Sequence, residues 1–249
     1  GIANIAVSAS KVLNGVTIIG NAGSNRIVGT AFADTIDGGV GNDAMSGGGG
    51  DDTYYVDHAK DRVSERELGG ADTVYASVSF KLGSGVETLI LTGSADISGT
   101  GGRSNNSITG NSGINRLDGG KGDDVLLGSA GADTLTGGDG FDTADYSAAA
   151  GTVAVNLAAG SGSAGDAAGD LLSGIERVVG SAFADTLTGS GQADVLEGGA
   201  GADALSGGRA ADMLLGGDGD DTLIGGAGGD TLDGGAGFDT ADYSGAAGA

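Results

Sequence analysis

Between Gly180 and Asp242 a leucine recurs every ninth residue, at Leu187, Leu196, Leu205, Leu214, Leu223 and Leu232, and each stands two residues after an Asp and shortly before glycine. Written from its first glycine, the unit reads GGAGADALS at Gly198–Ser206, GGDGDDTLI at Gly216–Ile224 and GGAGGDTLD at Gly225–Asp233. The pattern is GGxGxDxUx, with U a large aliphatic residue. Seven copies stand in this run, four more lie between Gly20 and Tyr55 and five between Gly101 and Asp145, sixteen in all. Position 1 is glycine in all 16 and position 6 is Asp in 13, with Asn25, Asn106 and Asn115 as the exceptions. Position 8 is Ile, Leu or Met in 13 copies, and Tyr54, Ala144 and Ala241 close the three arrays. Position 4 is looser, with Phe32, Ser104, Phe183, Gln192 and Ala210 replacing glycine.

Each position predicts a conformation. Glycine at positions 1, 2 and 4 can take positive φ and lets carbonyl oxygens converge without a Cβ between them, which makes a tight turn. The xUx that follows is a short strand with one side chain inward and its neighbours outward. One nonapeptide reverses the chain and two close a coil. Residues 18 apart therefore stack at a ladder spacing of roughly 4.8 Å. The expected fold is all-β, a right-handed parallel β-roll (β-solenoid) with 18 residues per coil and two inserts. Leu187, Leu205 and Leu223 fall in one inward column, and Leu196, Leu214 and Leu232 in the other.

The chain divides accordingly. Residues 1–19, which include VLNGVTII, are a leading strand or coil. The arrays span 20–55, 101–145 and 180–244, separated by β inserts at 56–100 and 146–179, and 245–249 begin a further insert. Within the first insert Val74, Ala76, Val78, Phe80 and Leu82 alternate with polar or small residues, which predicts a half-buried strand, and VETLIL at Val86–Leu91 predicts another. In the second, Val153, Val155 and Leu157 read as a strand, GSGSAGDAAGD as a loop, and LLSGIERVV as the return to the repeat. Both inserts are expected to continue the solenoid with longer, calcium-free coils. The joins are duplicated: GFDTADYS occurs at Gly140–Ser147 and Gly237–Ser244, and VGTAFADT from Val28 matches VGSAFADT from Val179, so Phe32 and Phe183 open arrays while Tyr146 and Tyr243 close them. The stop at Ala249, where an insert would begin, is expected of a fragment of a longer polypeptide.

The same stacking raises an electrostatic problem. Asp185, Asp203, Asp221 and Asp239 form one carboxylate column, and Asp194, Asp212 and Asp230 the other. Two unit charges about 4.8 Å apart repel by roughly 3.5 kcal/mol at an effective dielectric of 20. Burying one Leu contributes about 1.5 to 3 kcal/mol, so the columns cancel much of the core. A hard divalent cation between turns would reverse the sign, and Ca²⁺ takes 6 to 8 oxygens from carboxylates and carbonyls. In the first array the candidate ligands are Asp34, Gly39, Gly41, Asp43, Gly48, Gly50 and Asp52; in the second, Gly120, Gly122, Asp124, Gly131, Asp133, Gly138, Gly140 and Asp142. In the third they are Asp185, Asp194, Gly199, Gly201, Asp203, Asp212, Gly217, Gly219, Asp221, Gly226, Gly228, Asp230, Gly235, Gly237 and Asp239.

The nonapeptide resembles the calcium-binding repeat of the repeat-in-toxin (RTX, hemolysin-type) family. The resemblance implies that carbonyls of the early turn residues and the position 6 Asp of one turn share each ion with the matching groups one coil further on. An array of n copies then holds n − 2 ions, about ten for the chain. Ten dications bring +20 against a formal net charge of −23, so the acidity reads as ligand charge. The resemblance further implies export, unfolded, by type I secretion from a Gram-negative bacterium, and folding outside the cell where calcium is plentiful. The expected role is a calcium-binding extracellular module of a structural or adhesive surface protein (S-layer, matrix or filament) that assembles with itself or with neighbouring repeats. The alternative is the non-catalytic C-terminal region of a secreted enzyme or toxin.

Composition narrows the remainder. With 56 Gly and no Pro, Cys or Trp, collagen, disulfide scaffolds and zinc clusters are excluded. One histidine, His58, excludes HExxH zinc proteases and leaves no basis for a Ser/His/Asp triad, and neither GxSxG nor GxxxxGK occurs. No enzyme activity is expected. The 11 Lys and Arg form no basic stripe for nucleic acid, and Arg103, Arg116 and Arg209 are expected to face outward. No apolar run is long enough to span a membrane. The nonapeptide spacing shows no regular outward Thr array, which argues against an ice-binding solenoid.

Overall fold

A computed structural model describes residues 14–65 and 69–243 and the strand path of Ala3–Ala6; Val12 and Leu13 of the leading segment and residues 244–249 lie outside the described ones. The chain winds into a parallel β-solenoid of about twelve coils. One face is an unbroken sheet of twelve strands, from Thr17–Ile19 to Thr231–Ala236. The opposite face is made of a four-stranded sheet ending at Arg62–Val63 and an eleven-stranded sheet running from Phe80–Lys81 to Thr240–Asp242. Among the described residues there is no α-helix, only a 3-10 turn at Gly165–Ala167.

Within the arrays the ladder register is 18: Leu187 pairs with Leu205 and Leu205 with Leu223 on one face, and Leu196 pairs with Leu214 and Leu214 with Leu232 on the other. The strands show the burial alternation that one inward residue per xUx requires, and the core is the double file of those residues. Tyr54 and Ala144, the two position 8 exceptions inside the solenoid, are as buried as the leucines they replace. Ala241 stands on the last rung and is exposed, since no further described coil covers it.

Both inserts continue the coil, but not by uniform lengthening. Thr53 pairs with Thr73, Thr73 with Thr88 and Thr88 with Ser107, so successive coils are longer, then shorter, then again longer than those of the arrays. The alternating stretch from Val74 to Leu82 is two strands rather than one: Thr73–Ala76 lies in the twelve-stranded face and Phe80–Lys81 in the other. Inward alternation carries on around the corner because Val78 also packs against the core, and a period-two reading cannot see a corner.

The second insert departs further. Thr143 pairs directly with Arg177, keeping the twelve-stranded face continuous. On the other face Ala154–Asn156, Ser161–Ala164 and Leu171–Ser173 occupy the place of a single strand, and Ser161–Ala164 runs antiparallel to both neighbours. The segment expected as a loop therefore holds a strand. Gly160 and Gly165, at φ 64° and 57°, supply the reversals at its two ends.

Candidate metal centre

In an array turn the backbone itself is brought close. Gly217 and Gly219, at positions 2 and 4, have φ of 110° and 147°. A β-carbon on them would lie 1.9 Å from the Gly199 carbonyl oxygen and 1.6 Å from that of Gly201, both in the preceding coil. A β-carbon on Gly198, at position 1, would lie 2.3 Å from Asp203 Oδ2 and 2.6 Å from the Gly216 carbonyl oxygen. The turn is thus a cradle walled by carbonyl and carboxylate oxygens of two successive coils, filled by no side chain.

The carboxylates divide their labour. Oδ1 accepts a hydrogen bond from the backbone N–H at position 6 of the preceding coil: Asp34 N–H donates to Asp52 (2.7 Å), Asp124 to Asp142 (2.8 Å), Asp185 to Asp203 (2.7 Å) and Asp203 to Asp221 (2.8 Å). Oδ2 of Asp43, Asp52, Asp124, Asp133, Asp142, Asp203, Asp212 and Asp221 is buried with no hydrogen-bond partner. A buried anionic oxygen without a partner is costly, and its position beside converging carbonyls fits a hard cation rather than a proton donor of the protein. Among the described residues no three His, Cys, Asp or Glu side chains cluster; the oxygens come mostly from the main chain.

The sixteen turns fall into two classes, which follow closely whether glycine holds both positions 2 and 4. Ten have positive φ at position 2, the turns that begin at Gly38, Gly47, Gly119, Gly128, Gly137, Gly198, Gly207, Gly216, Gly225 and Gly234. In the other six the position 2 N–H instead donates to the position 6 side chain of its own turn: Thr30 to Asp34, Ser181 to Asp185 and Ser190 to Asp194 (2.5 Å each), and Asn21 to Asn25, Gly102 to Asn106 and Asn111 to Asn115 (2.7 to 2.8 Å). We term the two classes open and closed. Every array starts with two closed turns and continues with open ones, two, three and five in order. The flipped position 2 peptide is what takes the N–H away from the carboxylate and leaves Oδ2 bare.

The three Asn turns are satisfied from within. Asn106 Nδ2 donates to the Val86 carbonyl (2.9 Å) and Asn115 Nδ2 to that of Ile97 (3.0 Å). In those two turns an amide N–H thereby occupies the upstream carbonyls that the open turns leave facing the cradle, while Asn25 Nδ2 donates to Asn21 Oδ1 of its own turn at 3.4 Å.

Every glycine predicted as a turn ligand has positive φ. Of the predicted Asp, eleven are buried; Asp230 is half-buried and Asp239 exposed, because no described coil stacks on the last turn. Asp34, Asp185 and Asp194 belong to closed turns and have no bare buried oxygen. Sequence reasoning missed Gly208 (φ 111°), together with Ser129 and Ala210, which take φ of 69° and 73° in open turns despite having side chains.

It also missed acids in the inserts. Asp52 N–H donates to Asp72, Asp72 N–H to Glu87, Asp43 N–H to Asp61, Asp133 N–H to Asp170 and Asp142 N–H to Glu176, all at 2.7 to 2.9 Å, so the carboxylate columns run through both inserts. Asp72 Oδ2 is bare like those of the open turns. The signal was present as an acid two residues before an inward aliphatic: Asp61 before Val63, Asp72 before Val74, Glu87 before Leu89, Asp170 before Leu172 and Glu176 before Val178. Glu65 bonds the Tyr54 hydroxyl and the Gly47 N–H instead, and Tyr146 donates to Asp170 Oδ2 at 2.9 Å.

Burial, reinforced by neighbouring carboxylates, raises the column acids. Asp52 and Asp133 are pushed up to about 7, and Asp72, Asp124 and Asp203 to about 6. Asp43, Asp142 and Asp212 move in the same direction, again chiefly through burial.

A model of the RTX calcium-binding nonapeptide repeat matches the chain in four copies, at residues 19–54, 109–144, 172–205 and 206–241, more than half its length. No curated protein matches it. The third copy starts inside the second insert and takes in Glu176, in keeping with the place of that acid in the column. Repeat, solenoid and oxygen-lined turns agree: the chain belongs to the family of RTX calcium-binding nonapeptide repeat proteins.

Proposed function

We propose that this chain is an extracellular calcium-loaded β-roll, a structural or adhesive module at the surface of a Gram-negative bacterium, which folds as it takes up about ten Ca²⁺, one per open turn. The observation that carries this is the row of buried, partnerless Oδ2 atoms in the open turns. The ions would be held by Asp43, Asp52, Asp124, Asp133, Asp142, Asp203, Asp212, Asp221, Asp230 and Asp239, with carbonyls of the open turn and of the turn one coil before it. Closed turns serve as the far wall of the first sites, which is why each array opens with two of them. A bound cation supplies the charge that lets carboxylates about 4.8 Å apart be buried together.

Because no such site exists in the unfolded chain, binding free energy becomes folding free energy. Extracellular calcium modules bind at about 10⁻⁴ to 10⁻³ M, so the chain stays unfolded in the cytosol and folds after export. The RTX repeat is a non-catalytic module, and a solenoid of about twelve coils, roughly 50 to 60 Å long at the ladder spacing, suits a rod that spaces or presents other parts. Among the described residues no helix is long and apolar enough to cross a membrane.

The test is a calcium titration of the EDTA-treated chain by far-UV circular dichroism with magnesium in parallel, and an ion count by native mass spectrometry. A cooperative gain of β signal near millimolar Ca²⁺, absent with Mg²⁺, and close to ten ions are expected. A chain already folded in EDTA at pH 8 would overturn the reading.

A further inference from the structure

The twelve-stranded face carries a hydroxyl ladder that sequence spacing conceals. Thr17 pairs with Thr35, Thr35 with Thr53, Thr53 with Thr73, Thr73 with Thr88 and Thr88 with Ser107. These six rungs are unevenly spaced along the chain, so the expectation that no regular outward Thr array exists is corrected by the structure: the irregular coils of the first insert bring its threonines into line with those of the first array. Threonine suits any strand, but the matching rungs of the opposite face hold Arg26, Ala44 and Arg62. Threonines pair on the opposite face too, at Thr222 and Thr240, but there Ala204 ends the file after two rungs, so strand preference by itself does not give a six-rung ladder.

Beside the hydroxyls runs a second outward rank: Ile19, Asp37, Tyr55, Tyr75, Ile90 and Thr109. Tyr55 and Tyr75 stack with ring centroids 5.5 Å apart and planes at 17°. Over these six rungs the two ranks hold a single charge, Asp37, on a chain of net charge −23.

We propose that this face binds a neutral polysaccharide lying along the solenoid axis. A linear array of hydroxyls flanked by an aromatic and aliphatic stripe matches a sugar chain, which offers hydroxyls at its ring edges and C–H surface on its ring faces. The ladder extends about 24 Å at the strand spacing, suiting a linear polymer rather than a compact ligand. Charge selects the occupant: with a single charge over six rungs, the strip offers no partner row to a charged polymer. Tyr55, 45 % exposed, rises beside the hydroxyl rank, so the strip is not the flat plane that an ice lattice would need.

The face exists only once coils stack, and so rests on the proposed calcium-driven folding. Affinity electrophoresis of the calcium-treated chain through gels containing soluble neutral β-glucan or α-glucan tests it, with circular dichroism recording the fold of each sample. Retardation by one neutral glucan is expected. Thr53→Val/Thr73→Val, which keeps shape and strand preference, should weaken it about tenfold with an unchanged spectrum, while Thr222→Val/Thr240→Val on the opposite face should leave it intact. The proposal is overturned by a β-folded chain that no neutral glucan retards, by retardation in an anionic polymer gel only, by indifference to the Thr53/Thr73 pair, or by shaping of ice crystals without glucan retardation. A chain folded in EDTA yet still retarded would sink the calcium reading and leave this surface standing.

Discussion

Replacing Gly217 by Ala isolates the close backbone approach on which the open turn depends. The new β-carbon would sit 1.9 Å from the Gly199 carbonyl oxygen, so that oxygen must retreat by roughly 1 Å or more to reach ordinary contact distance, out of the wall of the cradle. Holding a non-glycine residue at a φ of 110° adds about 1 to 3 kcal/mol of strain. An ion bound at a hundred times its dissociation constant contributes about 2.7 kcal/mol, and its loss brings the cost to roughly 4 to 6 kcal/mol. That is a large share of the total stability of a typical domain, roughly 5 to 15 kcal/mol. The control is Gly102→Ala in a closed turn. There φ is not positive, and the β-carbon meets nothing nearer than Asn106 Oδ1 at 3.7 Å, so a neutral or slightly stabilising effect is expected. Thermal unfolding in 10 mM calcium and an ion count by native mass spectrometry read both variants. Gly217→Ala should lose one or two ions and melt well below the parent, and Gly102→Ala should do neither. Equal shifts in the two variants would refute the division into open and closed turns.

Further outcomes follow from the carboxylate columns. Asp203→Asn should remove an ion and weaken folding in calcium, while Asp194→Asn, in a closed turn whose carboxylate is already held by Ser190, should leave the ion count unchanged; native mass spectrometry checks both. Asn106→Asp should gain no ion, because its turn is closed, and should destabilise by about 1 to 3 kcal/mol through loss of the amide bond to the Val86 carbonyl, measurable by urea unfolding in calcium. For pH, Asp52 and Asp133 near 7 and Asp72, Asp124 and Asp203 near 6 lie above the ordinary carboxylate range. The metal-free fold holds these protons more tightly than the unfolded chain, so its stability is greatest below about pH 4 and is lost as pH rises to about 7. Circular dichroism in EDTA should therefore show more β signal at pH 4.5 than at pH 8. Protons and calcium compete for the same oxygens, and the calcium midpoint should rise as pH falls from 8 to 6.

A nine-residue period with one aliphatic and one acid in constant phase determined, without coordinates, that the chain is a solenoid and which leucines share a column. Those are local properties repeated, and repetition of a local rule fixes a one-dimensional fold. The inserts obey no such period, yet their acids join the same columns and their threonines the same ladder, because hydrogen-bonded register between coils, not distance along the chain, sets which residues meet. The antiparallel strand Ser161–Ala164 is likewise a product of sheet edges left open by an interrupted coil. The division into open and closed turns was largely legible in the motif, since glycine holds both positions 2 and 4 in eight of the ten open turns and in none of the closed ones, but Ser129 and Ala210 take positive φ in open turns without it. Which carbonyl of the coil beneath each turn glycine approaches, as Gly217 approaches that of Gly199, is by contrast a property of stacking that exists only in the assembled structure.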